Sequence, residues 1–110
     1  EEIQPIKESW NFVTELSGSS YKTTETFSIR GSKWRYTWEC DEDTKFAKGF
    51  GLMNILVYPE GEGESYVSEV FMGKCTDQQI SYVYEGKKNY YFDVGAANVN
   101  NWIIKVEDYY

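Results

Sequence analysis

The sequence predicts an all-β chain folded as a two-layer antiparallel β-sandwich, jelly-roll-like, with about eight strands. Three observations predict it. Apolar residues recur with period two almost throughout, and no stretch carries the 3.6-residue period of an amphipathic helix. The alternating runs are short, recur about every 8–12 residues, and are separated by Gly, Ser, Asn, Asp and Pro. Aromatic residues make up 18% of the 110-residue chain, as ten Tyr, six Phe and four Trp. Their bulk fits a pleated, half-buried surface.

Residues 10–16 (WNFVTEL) form the first strand and end in the turn SGSS. Residues 23–30 form the second, with Phe27 and Ile29 on one side and Thr26, Ser28 and Arg30 on the other. Residues 33–40 (KWRYTWEC) alternate most cleanly: Trp34, Tyr36, Trp38 and Cys40 share one face, and Lys33, Arg35, Thr37 and Glu39 the other. That is a strand with one buried and one wet face. The irregular DEDTKFAKGFG follows, with room for one helical turn started by Asp43.

Residues 51–59 are more continuously apolar and read as a central strand that Pro59 stops. After the acidic loop PEGEGES come strands at 66–72 and 80–86. The turn EGKKN, with Gly86 taking positive φ, lets 89–94 pair back on the preceding strand. Tyr90, Phe92 and Val94 fill one layer, GAANVNN turns a corner, and residues 101–107 return Trp102, Ile104 and Val106 to the same core. The last two strands thus read as a hairpin that closes the sandwich.

A chain of this length is one domain, 1–110, with 1–8 as a flexible N-terminal end. Its net charge is -7, from 18 acids against 11 bases, with no histidine. Such a field repels nucleic acid, so no nucleic-acid partner is expected. The plain alternative for the charge is solubility. No run approaches the ~18 apolar residues of a membrane helix, so the domain is not expected to insert in a membrane. It reads as a monomer. The opening EEIQPIKES reads as the flexible end of a trimmed or mature chain, so the lack of a signal peptide does not argue for the cytosol.

Cys40 and Cys75 form one disulfide or stay as two buried thiols; both readings are open. With no CxxC and no histidine, the pair is not a zinc site.

Nucleophilic catalysis of the Ser-His-Asp or Cys-His kind needs a near-neutral base beside the nucleophile, and the chain has no histidine. Asp41, Glu42, Asp43, Glu60, Glu62 and Glu64 sit in loops at no spacing diagnostic of a paired-carboxylate enzyme. No catalytic residue, metal ligand or cofactor is assigned. The same loops offer oxygen ligands for a structural calcium, against the plainer reading of solvated acids. Neither GFG nor GEG opens a phosphate-binding loop.

Ring stacking is the remaining chemistry. The tyrosines outnumber the places in a core of this size. Tyr91, which alternates against Tyr90 and Phe92, is the best ligand-binding candidate, with Tyr66 and Tyr82 beside it. The plainer reading of such rings is cross-strand packing.

The segments GSKWRYTWECDED, MNILVYPEGEG and GKKNYYFDVGAANVNNWIIKVEDYY resemble small uncharacterised domains of secreted or lipid-anchored bacterial and archaeal surface proteins. The carrying residues are Trp34, Tyr36 and Trp38; the Val57-Tyr58-Pro59 ending; and 91–94, 96–98 and 102–107 in the closing strands. The resemblance implies a jelly-roll sandwich, an exported protein at the cell surface or outside the cell, and no established activity. Export fits an oxidised cysteine pair. The expected function is therefore a non-enzymatic extracytoplasmic module in contact with a protein or surface polymer. The alternative is a carbohydrate-binding domain that uses exposed rings, with or without a structural calcium.

Overall fold

The computed structural model describes residues 8–45, 48–61 and 65–110. The flexible end expected at 1–8 lies, but for Glu8, outside the described residues. The strands are β1 (Trp10–Gly18), β2 (Lys22–Thr23), β3 (Phe27–Ser28), β4 (Lys33–Glu42), β5 (Leu52–Pro59), β6 (Ser68–Lys74), β7 (Gln79–Val83), β8 (Asn89–Ala97) and β9 (Val99–Tyr109). There is no helix among the described residues. Asp43 starts no helical turn: its N–H donates to Asn98 O at 2.8 Å and its Oδ1 accepts from Lys45 N at 2.9 Å.

The strands form two antiparallel sheets. The first has the order β1-β9-β4-β7; the second has β2-β8-β5-β6, with β3 also on β8. With β2 and β3 taken as one interrupted strand, the first strand pairs with the last, the second with the second-last, and so on inward to β5 with β6. This is one long antiparallel hairpin wound around a core, the jelly-roll arrangement. The β4–β9 and β5–β8 ladders complete the two sheets.

The residues expected inside are inside. Trp34, Tyr36, Tyr90, Phe92, Val94, Trp102, Ile104 and Val106 are fully buried, with Met53, Ile55 and Val57 from β5. Rings meet across the layers: Trp34 lies 5.1 Å from Tyr90, and Tyr36 5.1 Å from Phe92. The indole N–H groups of Trp34 and Trp102 donate to Glu85 O and Ser20 O. Cys40, at the end of β4, is disulfide-bonded to Cys75, beyond β6, with Cα atoms 5.0 Å apart.

Four details differ from the expected layout. First, the strand expected at 23–30 is split. Thr23 faces Asp93, but Phe27 faces Tyr90, so one extra residue bulges between them. The buried Thr24 fills the gap, its Oγ1 accepting the Phe92 N–H at 3.0 Å. Second, β7 and β8 do not pair; they belong to opposite sheets, as do β8 and β9. The expected hairpins are short arches between layers.

Third, the seven-residue corner shrinks to Asn98 alone, which takes φ 57°. Its side-chain amide holds Phe50 O at 2.9 Å. Fourth, Lys87 rather than Gly86 takes the left-handed backbone, with φ 56°. Gly86 is glycine for another reason: a Cβ there would lie 1.9 Å from Gly31 O.

Candidate functional site

The outer face of the second sheet is built by alternation on its two central strands. On β5, Met53, Ile55, Val57 and Pro59 point into the core, so Leu52, Asn54, Leu56 and Tyr58 point out. On β8, Tyr90, Phe92 and Val94 point in, so Tyr91, Asp93 and Gly95 point out. The register sets Tyr58 opposite Tyr91, Leu56 opposite Asp93 and Asn54 opposite Gly95.

Three rings gather at one end. Tyr58 and Tyr91 stack at 5.5 Å with planes 20° apart. Tyr66 meets Tyr58 edge-on at 6.4 Å and is half exposed. A hydrogen bond with the Glu69 carboxylate and its charge raise the Tyr66 phenol pKa.

A groove of about 410 Å³ lies at the other end, lined by Tyr21, Leu52, Asn54, Phe71, Met72 and Gly95 among others. A β-bulge makes one wall. Met53 pairs with Gly73 and Ile55 with Val70, so Phe71 and Met72 together oppose the single Asn54. Met72 takes φ 56°, and its N–H donates to Asn54 Oδ1 at 3.0 Å. Bulges re-aim side chains; here Phe71 and Met72 come out 72% and 55% exposed. Tyr21, 68% exposed, is the opposite wall. Its hydroxyl lies 3.3 Å from Thr23 Oγ1, which donates to Asp93 Oδ1 at 3.4 Å. Gly95 leaves the floor low.

Two of the three expected ring candidates, Tyr66 and Tyr91, share this face. The third does not. Tyr82 stands on β7, in the first sheet, 6.0 Å from Trp10, which lies 4.9 Å from Tyr109. The chain's own cations cover these rings: the Arg35 guanidinium sits 3.9 Å over Trp10 and Lys33 Nζ 4.3 Å over Tyr109. Arg35 Nε also bonds Glu107 Oε1 at 2.9 Å. Burial disfavours charge on Arg35, but hydrogen bonds to Glu107 and Tyr82 outweigh it and raise its pKa. The faces of Trp10 and Tyr109 are thus occupied by cations of the chain itself, while Tyr82, 46% exposed, stands beside them on the other outer face.

The DED acids do not converge. Asp41 accepts from Asn100 Nδ2, Glu42 from Gly51 N, and Asp43 from Lys45 N. Among the described residues, no three acids or cysteines group as a cation site. Glu62 and Glu64 lie outside the described residues. The bonded cysteines indicate an oxidising, extracellular-like environment. No helix of the described residues is long and apolar enough to cross a membrane.

Residue-by-residue reading missed Tyr58, Asn54, Phe71 and Gly95 as parts of this face. Asn54, a polar residue inside an apolar run, was the available signal that 51–59 has a wet side. No protein-family model matches the chain, and no curated protein or solved structure matches it.

Proposed function

We propose that this domain is a non-enzymatic extracytoplasmic binding module that holds a surface polymer against the outer face of the second sheet. The observation that carries the reading is the presence, on one face, of both the Tyr58–Tyr91–Tyr66 cluster and the groove walled by Tyr21 and Phe71. Clefts of this size with apolar walls and a few fixed polar groups are where ligands bind. The disulfide supports export, and the resemblance to surface-protein domains supports a place at the cell surface.

A glycan array and a pull-down from cell-surface extract test it. Wild type and Tyr82→Ala retain the same ligand, while the double variant Tyr58→Ala/Tyr91→Ala loses it. Loss with Tyr82→Ala and retention by the double variant would move the contact to the other sheet and end the proposal.

A further inference from the structure

We infer that the polymer is an uncharged polysaccharide, laid along β5 and β8 from the Tyr58–Tyr91 pair to the groove over Gly95. The inference rests on the contact face just proposed and names its occupant.

The length comes first. Tyr58 and Asn54 are four residues apart on one strand, which at ~3.4 Å per residue separates ring platform from groove by about 14 Å. A single sugar ring does not touch both; a chain of several does. The backbone of β5 and of β8 is paired on both sides, so a peptide cannot join by adding a strand here. Contact must run through side chains.

Those side chains suit hydroxyls. Between the two ends lie the carboxylates of Asp93 and Glu69, both opposite Leu56. Asp93 already accepts from a neutral hydroxyl, that of Thr23, and the Glu69 charge acts on the neutral Tyr66 phenol. A ligand hydroxyl replaces these like for like, and a carboxylate keeps further lone pairs to accept with. Asn54 Oδ1 is used by Met72 N–H, which leaves its amide N–H to donate outward. Tyr and Phe rings offer flat apolar faces to the C–H side of a sugar ring. Two carboxylates on the face of a chain of charge -7 repel a polyanion, and Asp93 is already matched to the neutral hydroxyl of Thr23 rather than to a cation, so an uncharged, hydroxyl-rich chain fits the face.

Gly95 is the position that tests this most sharply. A Cβ placed on it would meet nothing closer than Asn54 Cβ at 3.8 Å. The fold therefore tolerates a side chain there, and a β-branched one suits a strand. Gly95→Val fills the groove from its floor without displacing the protein. Phe71→Ala, at a 72% exposed position, removes one wall and leaves the core alone.

The experiment is affinity electrophoresis of the intact domain in gels containing hydroxyethylcellulose, glycogen or galactomannan, and, as charged probes, alginate or polylysine. The inference expects retardation by at least one neutral polysaccharide, insensitive to added salt, with Gly95→Val and Phe71→Ala each weakening association about tenfold. Retardation by alginate or polylysine alone, still sensitive to Gly95→Val, overturns the uncharged occupant and leaves the contact face standing. Neutral retardation that neither variant changes overturns both. No retardation of wild type by any neutral gel overturns the inference, and the double tyrosine variant in the pull-down then decides the contact face separately.

Discussion

Tyr58 and Tyr91 face each other across β5 and β8 with ring centroids 5.5 Å apart, on the opposite side of the sheet from the buried Phe92. A stacked aromatic pair contributes about 0.5–1.5 kcal/mol beyond the area it buries. Removing Phe92 opens a core cavity, and Phe→Ala there costs about 3–5 kcal/mol. Tyr91 keeps some exposure where Phe92 has none, so Tyr91→Ala should cost clearly less than Phe92→Ala in urea denaturation. Equal costs would mean that Tyr91 belongs to the core and is not free for a ligand.

The Cys40–Cys75 bond closes 35 residues of sequence and joins the first sheet to the connection beyond β6. Closing a loop of that length restricts the unfolded chain by about 3–4 kcal/mol. Reduction with a thiol should lower the melting temperature by roughly 10 °C or more. A reduced protein that melts with the oxidised one would contradict this.

Asp108 is buried, and its two oxygens accept from Arg30 N at 2.7 Å and Gly31 N at 3.1 Å. It pins the chain between β3 and β4 to the last strand. Asp108→Asn keeps the shape but turns an NH2 group toward one of these donors. Hydrogen bonds to charged acceptors contribute about 1.5–3 kcal/mol, and a loss of that order is expected in urea denaturation. A change below ~0.5 kcal/mol would show that the carboxylate does not anchor the loop.

Burial raises the Tyr36 phenol above its ordinary value of 10.0, against smaller lowering by Ser68 and Ser81. The folded state thus favours the neutral phenol. Its contribution is present in full below the unfolded value near 10 and is lost as pH climbs from there through the folded value. Tyr36→Phe removes the 2.9 Å contact with Ser68 and costs about 0.5–1.5 kcal/mol near neutrality. Above pH 10 the gap to wild type should narrow. Melting curves of both proteins across that range measure it, and a widening gap would contradict the assignment.

Period two is a direct imprint of the pleat, so the strands of the core were legible: Trp34, Tyr36, Trp38, Phe92 and Trp102 sit where their alternation places them. Alternation gives a side relative to the strand, not the sheet to which the strand belongs. That is why Tyr82 and Tyr91 looked alike and lie on opposite outer faces. It is also why short Gly- and Asn-containing links read as hairpins, although they cross between layers. The split at Thr24 and the bulge at Phe71–Met72 each depend on one residue gained against a distant partner, which no local pattern records. Tyr58 was hidden in a run apolar enough to pass for a strand buried on both faces.

Amide chemical-shift mapping of the labelled domain, titrated with the neutral polysaccharide that retards it, tests the central claim most directly. The account predicts shifts confined to residues around Tyr21, Asn54, Tyr58, Tyr91 and Gly95, with the Trp10–Tyr82–Tyr109 face unmoved. Shifts centred on that opposite face, with Tyr91 and Gly95 silent, would contradict it.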